Sequence, residues 1–322
     1  MKLKTVAAAI IAGGLVFSGC SGTVQENGKD VVASITDKNI LADDIYASLL
    51  DTPTGEDALF NYALQQIIDA YFPIDNDMEE YADDAIENIQ ASYESNYGDD
   101  AESYLESALA SSGFENLDDY REYLVQSLQY SAMVKDYVKN NFEEVFEDYY
   151  TTASPRKISL IKVAVDDMDN PTTEETEHLN EVKALLKTDK SFEEIAADYS
   201  DDNSASSHGD LGIVDSESEL YSTYGDAVKE KALALKQGEI SDIIKGDDGY
   251  YFLKCTCTDK ETLKEELKTI DLESPLLAYD SYMIYLAFNT YELTYGDDEI
   301  KEMIENYVND ALETREESRG NS

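Results

Sequence analysis

The sequence predicts an α+β protein in which a mainly α-helical body, formed by the N- and C-terminal segments, carries an inserted α+β domain. Two observations lead to this prediction. Apolar residues recur at the 3.6-residue period of a helix over residues 41–150 and again after residue 260. Between these segments, after Pro155, a β-rich run covers 158–165, and a second one follows at 249–257.

Length and charge limit the function. A chain of 322 residues is long enough for two or three domains. It has 24 Lys and Arg against 70 Asp and Glu, and a net charge of −46 excludes nucleic-acid binding as a main role. Two His and three Cys are too few for a His-rich metal site, a Cys-rich zinc site or a disulfide scaffold. We therefore predict neither a cofactor nor a metal site.

Residues 1–19 have the pattern of a secretory signal peptide. A short positive start precedes an apolar stretch that is too short to span a bilayer. Small residues come directly before Cys20, which resembles the lipobox of bacterial lipoproteins and implies a diacylglyceryl group on Cys20 after cleavage. The polar segment 20–30 is then a flexible, lipidated tether. A cleaved signal with an incidental cysteine, or an uncleaved anchor, is the alternative interpretation.

The segment 31–150 is predicted to be an N-terminal, mainly helical domain. It begins with a short strand and a turn, after which apolar residues recur three or four positions apart. Asn116, followed by two aspartates, is typical of a helix start. The residues predicted to face inward are Leu41, Ile45, Leu49, Leu59, Tyr62, Ala63, Gln66, Ile67, Tyr81, Ile86, Ile89, Tyr93, Tyr97, Leu117, Tyr120, Leu124, Leu128, Val134 and Val138.

The segment 155–258 is predicted to be a compact α+β domain with the order β-α-α-α-β-β. Ser191 and Glu194 form the capping box of one of its helices. The predicted elements are a strand at 158–165, helices at 172–187, 191–197 and 224–236, a loop at 200–212, and strands at 240–244 and 249–257.

Residues 260–322 are predicted to be helical and to pack on the N-terminal domain, because each helix has an apolar face that must be buried. The residues from Arg315 onwards are expected to be frayed. The two apolar faces consist of Leu276, Tyr279, Met283, Leu286 and Phe288, and of Ile300, Ile304, Tyr307 and Ala311.

The middle of the chain carries a specific motif. Residues 199–212 read YSDDNSASSHGDLG, preceded by FEEIAADYS and followed by ALALKQGEIS and DDGYYFLK. This succession resembles the parvulin family of peptidyl-prolyl isomerases. The whole chain, from lipobox through helices and parvulin-like domain to the C-terminal helices, is similar to PrsA-like foldase lipoproteins. The spacing S-D-x-x-S-A-x-x-x-G-D-L-G is the specific part of the resemblance, and the helices contribute little.

The resemblance implies a site in this domain. In parvulins, two histidines on neighbouring strands lie beside a Cys or Asp. Matching by motif puts the Cys/Asp position on Asp202, the first histidine position on Ser159 and the second on Tyr251, so both histidines are absent. Hydroxyl groups of Ser159 and Tyr251 would then replace the imidazoles. The positions predicted to contact the substrate are Tyr224, Val228 and Leu211.

Other reactive residues have plainer explanations. His208 could act as a general base, but an exposed loop histidine is the favoured interpretation, and His178 is expected to face solvent. Cys255 and Cys257 share a strand face and are predicted to be buried thiols, since a C-x-C disulfide would be strained. The acidic clusters at 75–80, 166–169 and 247–248 do not match the EF-hand pattern, so we interpret them mostly as solvated surface. Weak binding of a cation such as calcium is the alternative interpretation.

The resemblance implies a lipid-anchored foldase at the extracytoplasmic face of the cell membrane, which assists folding of exported proteins by X–Pro cis-trans isomerisation. Its expected partners are unfolded, newly exported polypeptides and, through the anchor, the membrane; a homodimer is left open. A non-catalytic holdase or assembly scaffold would use the same folds without isomerisation. A small-ligand-binding lipoprotein of a transporter would need two α/β lobes, and the long helical stretch 41–150 argues against it.

Overall fold

The computed structural model describes residues 24–35, 38–50, 52–218, 220–272 and 274–320. The signal peptide predicted over 1–19 and the lipidation site Cys20 lie outside these residues. The described chain is α+β, as predicted, with long helical segments on both sides of a β-containing domain. It divides into two compact units, residues 1–62 and 63–322. The division falls inside the N-terminal domain that the sequence predicts over 31–150.

The first unit contains a small antiparallel sheet in the order β1-β2-β3. Its strands are β1 (Gln25–Glu26), β2 (Lys29–Ile35) and β3 (Lys38–Leu41), and helix α1 (Ala42–Leu50) follows. Two residues in the left-handed region, Asn27 and Gly28, allow the tight turn between β1 and β2. The prediction of an irregular tether through residue 30 is therefore wrong for 25–30, where backbone groups pair in the sheet.

Five helices follow before the β-containing domain. They are α2 (Pro53–Tyr71), α3 (Asn76–Tyr97), α4 (Ala101–Ser111), α5 (Leu117–Asn140) and α6 (Phe142–Thr152). Asn116 caps α5, as predicted, by accepting the backbone N–H of Asp119 at 3.0 Å. Asp75 caps α3 in the same way through Met78 at 2.9 Å. Both caps satisfy N–H groups that a helix start leaves free.

The sequence predicts only some of the residues that these helices bury. Ile67 and Val138 are buried, but Leu49, Tyr62, Tyr81 and Tyr97 are exposed by 46–67%. Apolar periodicity alone does not say which edge of a broad apolar stripe is covered, and tyrosines keep a polar tip in water at little cost. The buried residues that the pattern missed include Leu64, Ile68, Val125 and Met133.

The β-containing domain has a four-stranded antiparallel sheet in the order β5-β4-β7-β6. The strands are β4 (Arg156–Ala164), β5 (Asp210–Val214), β6 (Ile244–Lys245) and β7 (Gly249–Cys257), and the helices are α7 (Thr173–Leu185), α8 (Phe192–Tyr199), α9 (Leu220–Tyr224) and α10 (Asp226–Ala234). Strand β5 begins inside the GDLG motif, where the sequence predicted a loop, and Gly225 divides the helix predicted over 224–236. The Ser191/Glu194 capping box of α8 is confirmed.

The C-terminal segment contains α11 (Lys260–Glu266), a short 3-10 turn (Pro275–Leu277), α12 (Met283–Phe288) and α13 (Asp298–Gly320). α12 and the 3-10 turn pack against α5, and α13 packs against α12. One core joins α5, α11, the 3-10 turn and α12 to α6, and its fully buried members include Val138, Phe146, Tyr149, Leu263 and Leu276. Within the described residues, no helix is both long enough and apolar enough to cross a membrane.

The end of α13 is not frayed, contrary to the prediction. Arg315 and Arg319 each bind both Asp148 of α6 and Asp280, with nitrogen–oxygen distances of 2.5–3.0 Å. The Tyr279 hydroxyl donates to the same Asp148 carboxylate at 2.8 Å. We call these five side chains the Arg315 cluster. Fraying was predicted from sequence position alone, but long-range ion pairs hold this terminus.

Candidate functional site

The sheet of the β-containing domain has two faces with different cores. Leu160 of β4 and Tyr251 of β7 point to the face covered by α10, where Val228 is buried against them. Ile161 and Phe252, one position further along each strand, point to the face covered by α7 and α8. Side chains alternate because each strand residue turns to the opposite face from its neighbour. We call the first of these the site face and the second the α8 face.

Three of the predicted site residues meet at the site face. The Tyr224 hydroxyl lies 3.4 Å from an Asp202 carboxylate oxygen. The rings of Tyr224 and Tyr251 make an edge contact with centroids 5.9 Å apart. Burial, and then the nearby Asp202 carboxylate, raise the pKa of Tyr224 to about 12. Tyr224 and Tyr251 are therefore neutral hydroxyl donors at physiological pH.

Local backbone geometry holds Asp202 in place. Asp202 begins a 3-10 turn at 203–207 and accepts the backbone N–H of Ser204 at 2.9 Å. The turn returns to the sheet through Gly209, whose φ is +81°. A Cβ on Gly209 would lie 2.5 Å from the Leu160 carbonyl oxygen and 2.8 Å from the Ala196 side chain. Only glycine allows this approach, so the HGD part of the motif sets the distance between the Asp202 turn and β4.

The Tyr251 hydroxyl has partners that the sequence did not indicate. It donates to the Asp248 carboxylate, which also binds the Lys162 amine of β4. These two hydrogen bonds, with Lys162 as the larger effect, hold the pKa of Asp248 below its usual value. Burial, and then Asp248 and Asp202, raise the pKa of Tyr251 above that of a free tyrosine. The Tyr251 ring is also closely packed, because a Cβ on Gly246 would lie 2.5 Å from this ring.

Ser159 does not join these residues. It pairs across the sheet with Lys254, whose amine binds Glu193 of α8, so Ser159 lies on the α8 face. Its neighbour Leu160 lies on the site face and is fully buried. The expectation that Ser159 lies beside Asp202 and Tyr251 is therefore wrong, because adjacent strand residues point to opposite faces of the sheet.

The predicted substrate-contacting residues share one core but differ in exposure. Val228 is 0% exposed, so it packs inside the domain and offers no surface to a peptide. Leu211 and Tyr224 are half-buried and pack against the same core. Of the three, Leu211 and Tyr224 can therefore contact a substrate in this conformation, and Val228 acts as their support.

The other reactive residues are mostly placed as predicted. His208 is exposed and has φ +58°, at the end of the 3-10 turn. His178 is not simply solvent-facing: its ring nitrogens contact the Tyr199 carbonyl at 3.0 Å and Asp201 at 3.5 Å. Cys255 and Cys257 are free and buried. Across the described ranges, no three or more His, Cys, Asp or Glu side chains are grouped to hold a metal ion.

Comparison with known proteins identifies the same domain. The family model for the PPIC-type peptidyl-prolyl isomerase (rotamase) domain matches residues 160–257, a range that contains Asp202, Tyr224 and Tyr251. The chain is 28% identical to the foldase protein PrsA of Bacillus subtilis (strain 168) over 86% of its own length and 84% of that protein. It is 26% identical to PrsA of Staphylococcus aureus (strain bovine RF122 / ET3-1), over 93% and 91% of the two chains.

Among solved structures, the crystal structure of PrsA from Streptococcus pneumoniae is 20% identical, covers 86% of this chain and 99% of that one, and has a TM-score of 0.43. The family model and the curated relatives confirm the resemblance to PrsA-like foldases that contain a parvulin-type domain.

Proposed function

We propose that this chain is an extracytoplasmic foldase that assists exported polypeptides and accelerates cis-trans isomerisation of their X–Pro bonds. The observation that carries the proposal is the contact of Asp202, Tyr224 and Tyr251 inside the PPIC-type domain. The curated relatives are named as foldases, which supports the same general role.

The chemistry of isomerisation suits a site without a nucleophile. Rotation about a peptide bond has a barrier of about 18–20 kcal/mol, because the amide loses resonance when it twists. A protein lowers this barrier by holding the proline side and by favouring the twisted, less conjugated amide. The Leu211 side chain offers an apolar contact. The neutral Tyr224 hydroxyl has a single O–H, which points to Asp202 at 3.4 Å in this conformation, and this O–H can turn to an amide oxygen or nitrogen of a bound peptide. Asp202 and Asp248 orient the two tyrosines.

The test is an isomerisation assay on the full chain with a proline-containing peptide. We expect acceleration by the wild type and a loss of about five- to thirtyfold in Asp202→Ala, the effect of about 1–2 kcal/mol for one orienting hydrogen bond. Asp242→Ala is the matched control, since Asp242 is exposed in the same domain and lines a different surface depression, beside α10 and β6. An active wild type with equal rates for both variants would contradict the site assignment.

A non-catalytic holdase is the second candidate, and two observations favour it. Leu160, the β4 residue on the same sheet face as Tyr251, has no hydrogen-bonding side-chain group, and Val228 is fully buried in the core. If the wild type does not raise the isomerisation rate above background but still suppresses aggregation of an unfolded protein, the holdase function replaces the isomerase function.

Membrane attachment through Cys20 is part of the proposal. The small residues before Cys20 and the charge of −46, which disfavours adsorption to anionic lipid, support a covalent anchor. In cells, Cys20→Ser should abolish incorporation of labelled fatty acid and release the protein from the membrane fraction. Unchanged labelling of the Cys20→Ser variant would refute the anchor.

A further inference from the structure

A groove of about 750 Å³ lies between the C-terminal half of α3, helix α4 and the first residues of α5. Its size is within the range of about 300–1,000 Å³ that is typical of ligand clefts. The floor is apolar and well packed, since Ala101, Leu105 and Leu109 are 7–8% exposed. Its lining residues lie outside residues 160–257 and include none of Asp202, Tyr224 and Tyr251.

Carboxylates form the walls of this groove. None of its lining residues is Lys or Arg, and none of the acidic ones has an ion-pair partner within the described part of the chain. The sequence explains why, because residues 41–120 contain no Lys or Arg at all. The nearest following cation, Arg121, is bound to Asp83 and also interacts electrostatically with Asp118, so the charge of Asp118 is partly compensated. The acidic lining residues are Glu94, Asp99, Glu102, Glu106, Glu115 and Asp118.

Tyrosines extend the groove along one side. Tyr93 lines it and contacts Tyr97 with ring centroids 5.5 Å apart, and Tyr97 stacks on Tyr104 at 4.4 Å. Tyr97 and Tyr104 are 46% and 53% exposed. Exposed aromatic rings bind apolar side chains and also the cationic ends of Lys and Arg. The same surface therefore combines an apolar floor, uncompensated negative charge and aromatic rings.

We propose that this groove binds extended, basic segments of unfolded polypeptide that also contain apolar side chains. The apolar residues pack on the Leu105 floor, and Lys or Arg residues pair with the wall carboxylates and the tyrosine rings. Acidic segments are repelled by the same charges. The inference rests on the proposed foldase function and specifies which segments of a client the helical part selects.

The test measures binding of a short, proline-free fluorescent peptide of Lys, Leu, Ser and Gly to the full chain by anisotropy. The double variant Glu102→Gln/Glu106→Gln should weaken binding by about three- to thirtyfold, because two charge pairs at a protein surface are lost. The variant Ala110→Trp fills the groove at an exposed lining position without changing its charge and should also weaken binding. The matched control is Glu302→Gln/Glu313→Gln, which removes two exposed carboxylates from α13.

The outcomes separate this inference from the isomerase proposal, because the peptide has no proline. Strong binding that is lost in both groove variants and retained in the control supports the groove, whatever the isomerisation rate is. Equal loss in the groove and control variants shows only general charge attraction and overturns the proposal. Equal binding of a peptide with Glu in place of Lys also overturns it. Circular dichroism melts show whether each variant is folded.

Discussion

The Arg315 cluster should stabilise the C-terminal helix strongly, and Arg315→Ala tests this. The Arg315 side chain is 11% exposed and binds Asp280 at 2.6 Å and Asp148 at 3.0 Å, and the Asp280 side chain is 4% exposed. Removing one partner of a buried ion pair costs about 3–5 kcal/mol, since the remaining charge is left uncompensated. We expect about 3 kcal/mol, because Arg319 still contacts both carboxylates.

The assay combines thermal unfolding with hydrogen exchange of α13. A loss of about 3 kcal/mol corresponds to a fall in Tm of about 4–5 °C for a chain of 322 residues, since the entropy of unfolding is about 2.1 cal/mol/K per residue. Faster exchange should be concentrated in residues 298–320. Arg121→Ala is the matched control, because the Arg121 and Asp83 side chains are 34% and 58% exposed, and its Tm should stay close to that of the wild type. A similar fall in Tm for both variants would refute the view that burial makes the Arg315 cluster strong.

Three further predictions concern the isomerase domain. Gly209→Ala should lower the free energy of unfolding, measured by urea titration, by more than about 2 kcal/mol. The new Cβ would overlap the Leu160 carbonyl, and the φ of this residue is +81°. A change below about 1 kcal/mol would contradict the tight approach of Gly209 to β4. A histidine introduced as Leu160→His should raise the isomerisation rate more than Ser159→His does, because of these two positions 160 faces Tyr251 and 159 does not. The reverse order would contradict the assignment of Leu160 to the site face. The isomerisation rate should lack the inflection of a titrating site imidazole between about pH 5 and 9. The raised pKa of Tyr224, about 12, keeps the Tyr224 hydroxyl protonated over this range. The lowered pKa of Asp248 keeps the Asp248 carboxylate ionised until the pH falls below the usual titration range of an aspartate. An inflection near about pH 6.5 would contradict these protonation states.

The motif-bearing parts of the fold could be predicted from the sequence because their signals are local. The capping residues Asn116 and Ser191, the strand that contains Tyr251 and the buried thiols of Cys255 and Cys257 all depend on a few neighbouring residues. The Asp202 position follows from the motif spacing in the same way, because the turn that carries it is built within the motif.

The register of Ser159 could not be predicted in this way. Two adjacent strand residues have the same local signal, and the choice between them depends on which face meets α8 and which meets α10. The partners of Tyr251 were missed for a related reason: Lys162 is 86 residues before Asp248, and no sequence pattern brings them together.

The sequence by itself determined the α+β class, the parvulin-like motif, the excess of acidic residues and the absence of cations from 41–120. Only the tertiary structure decided that Leu160 rather than Ser159 faces the site, that Val228 is inaccessible, and that the Arg315 cluster holds the C-terminal helix. The physical reason is that composition and spacing act along the chain, whereas burial, ion pairing and the face a side chain occupies depend on segments far apart in sequence.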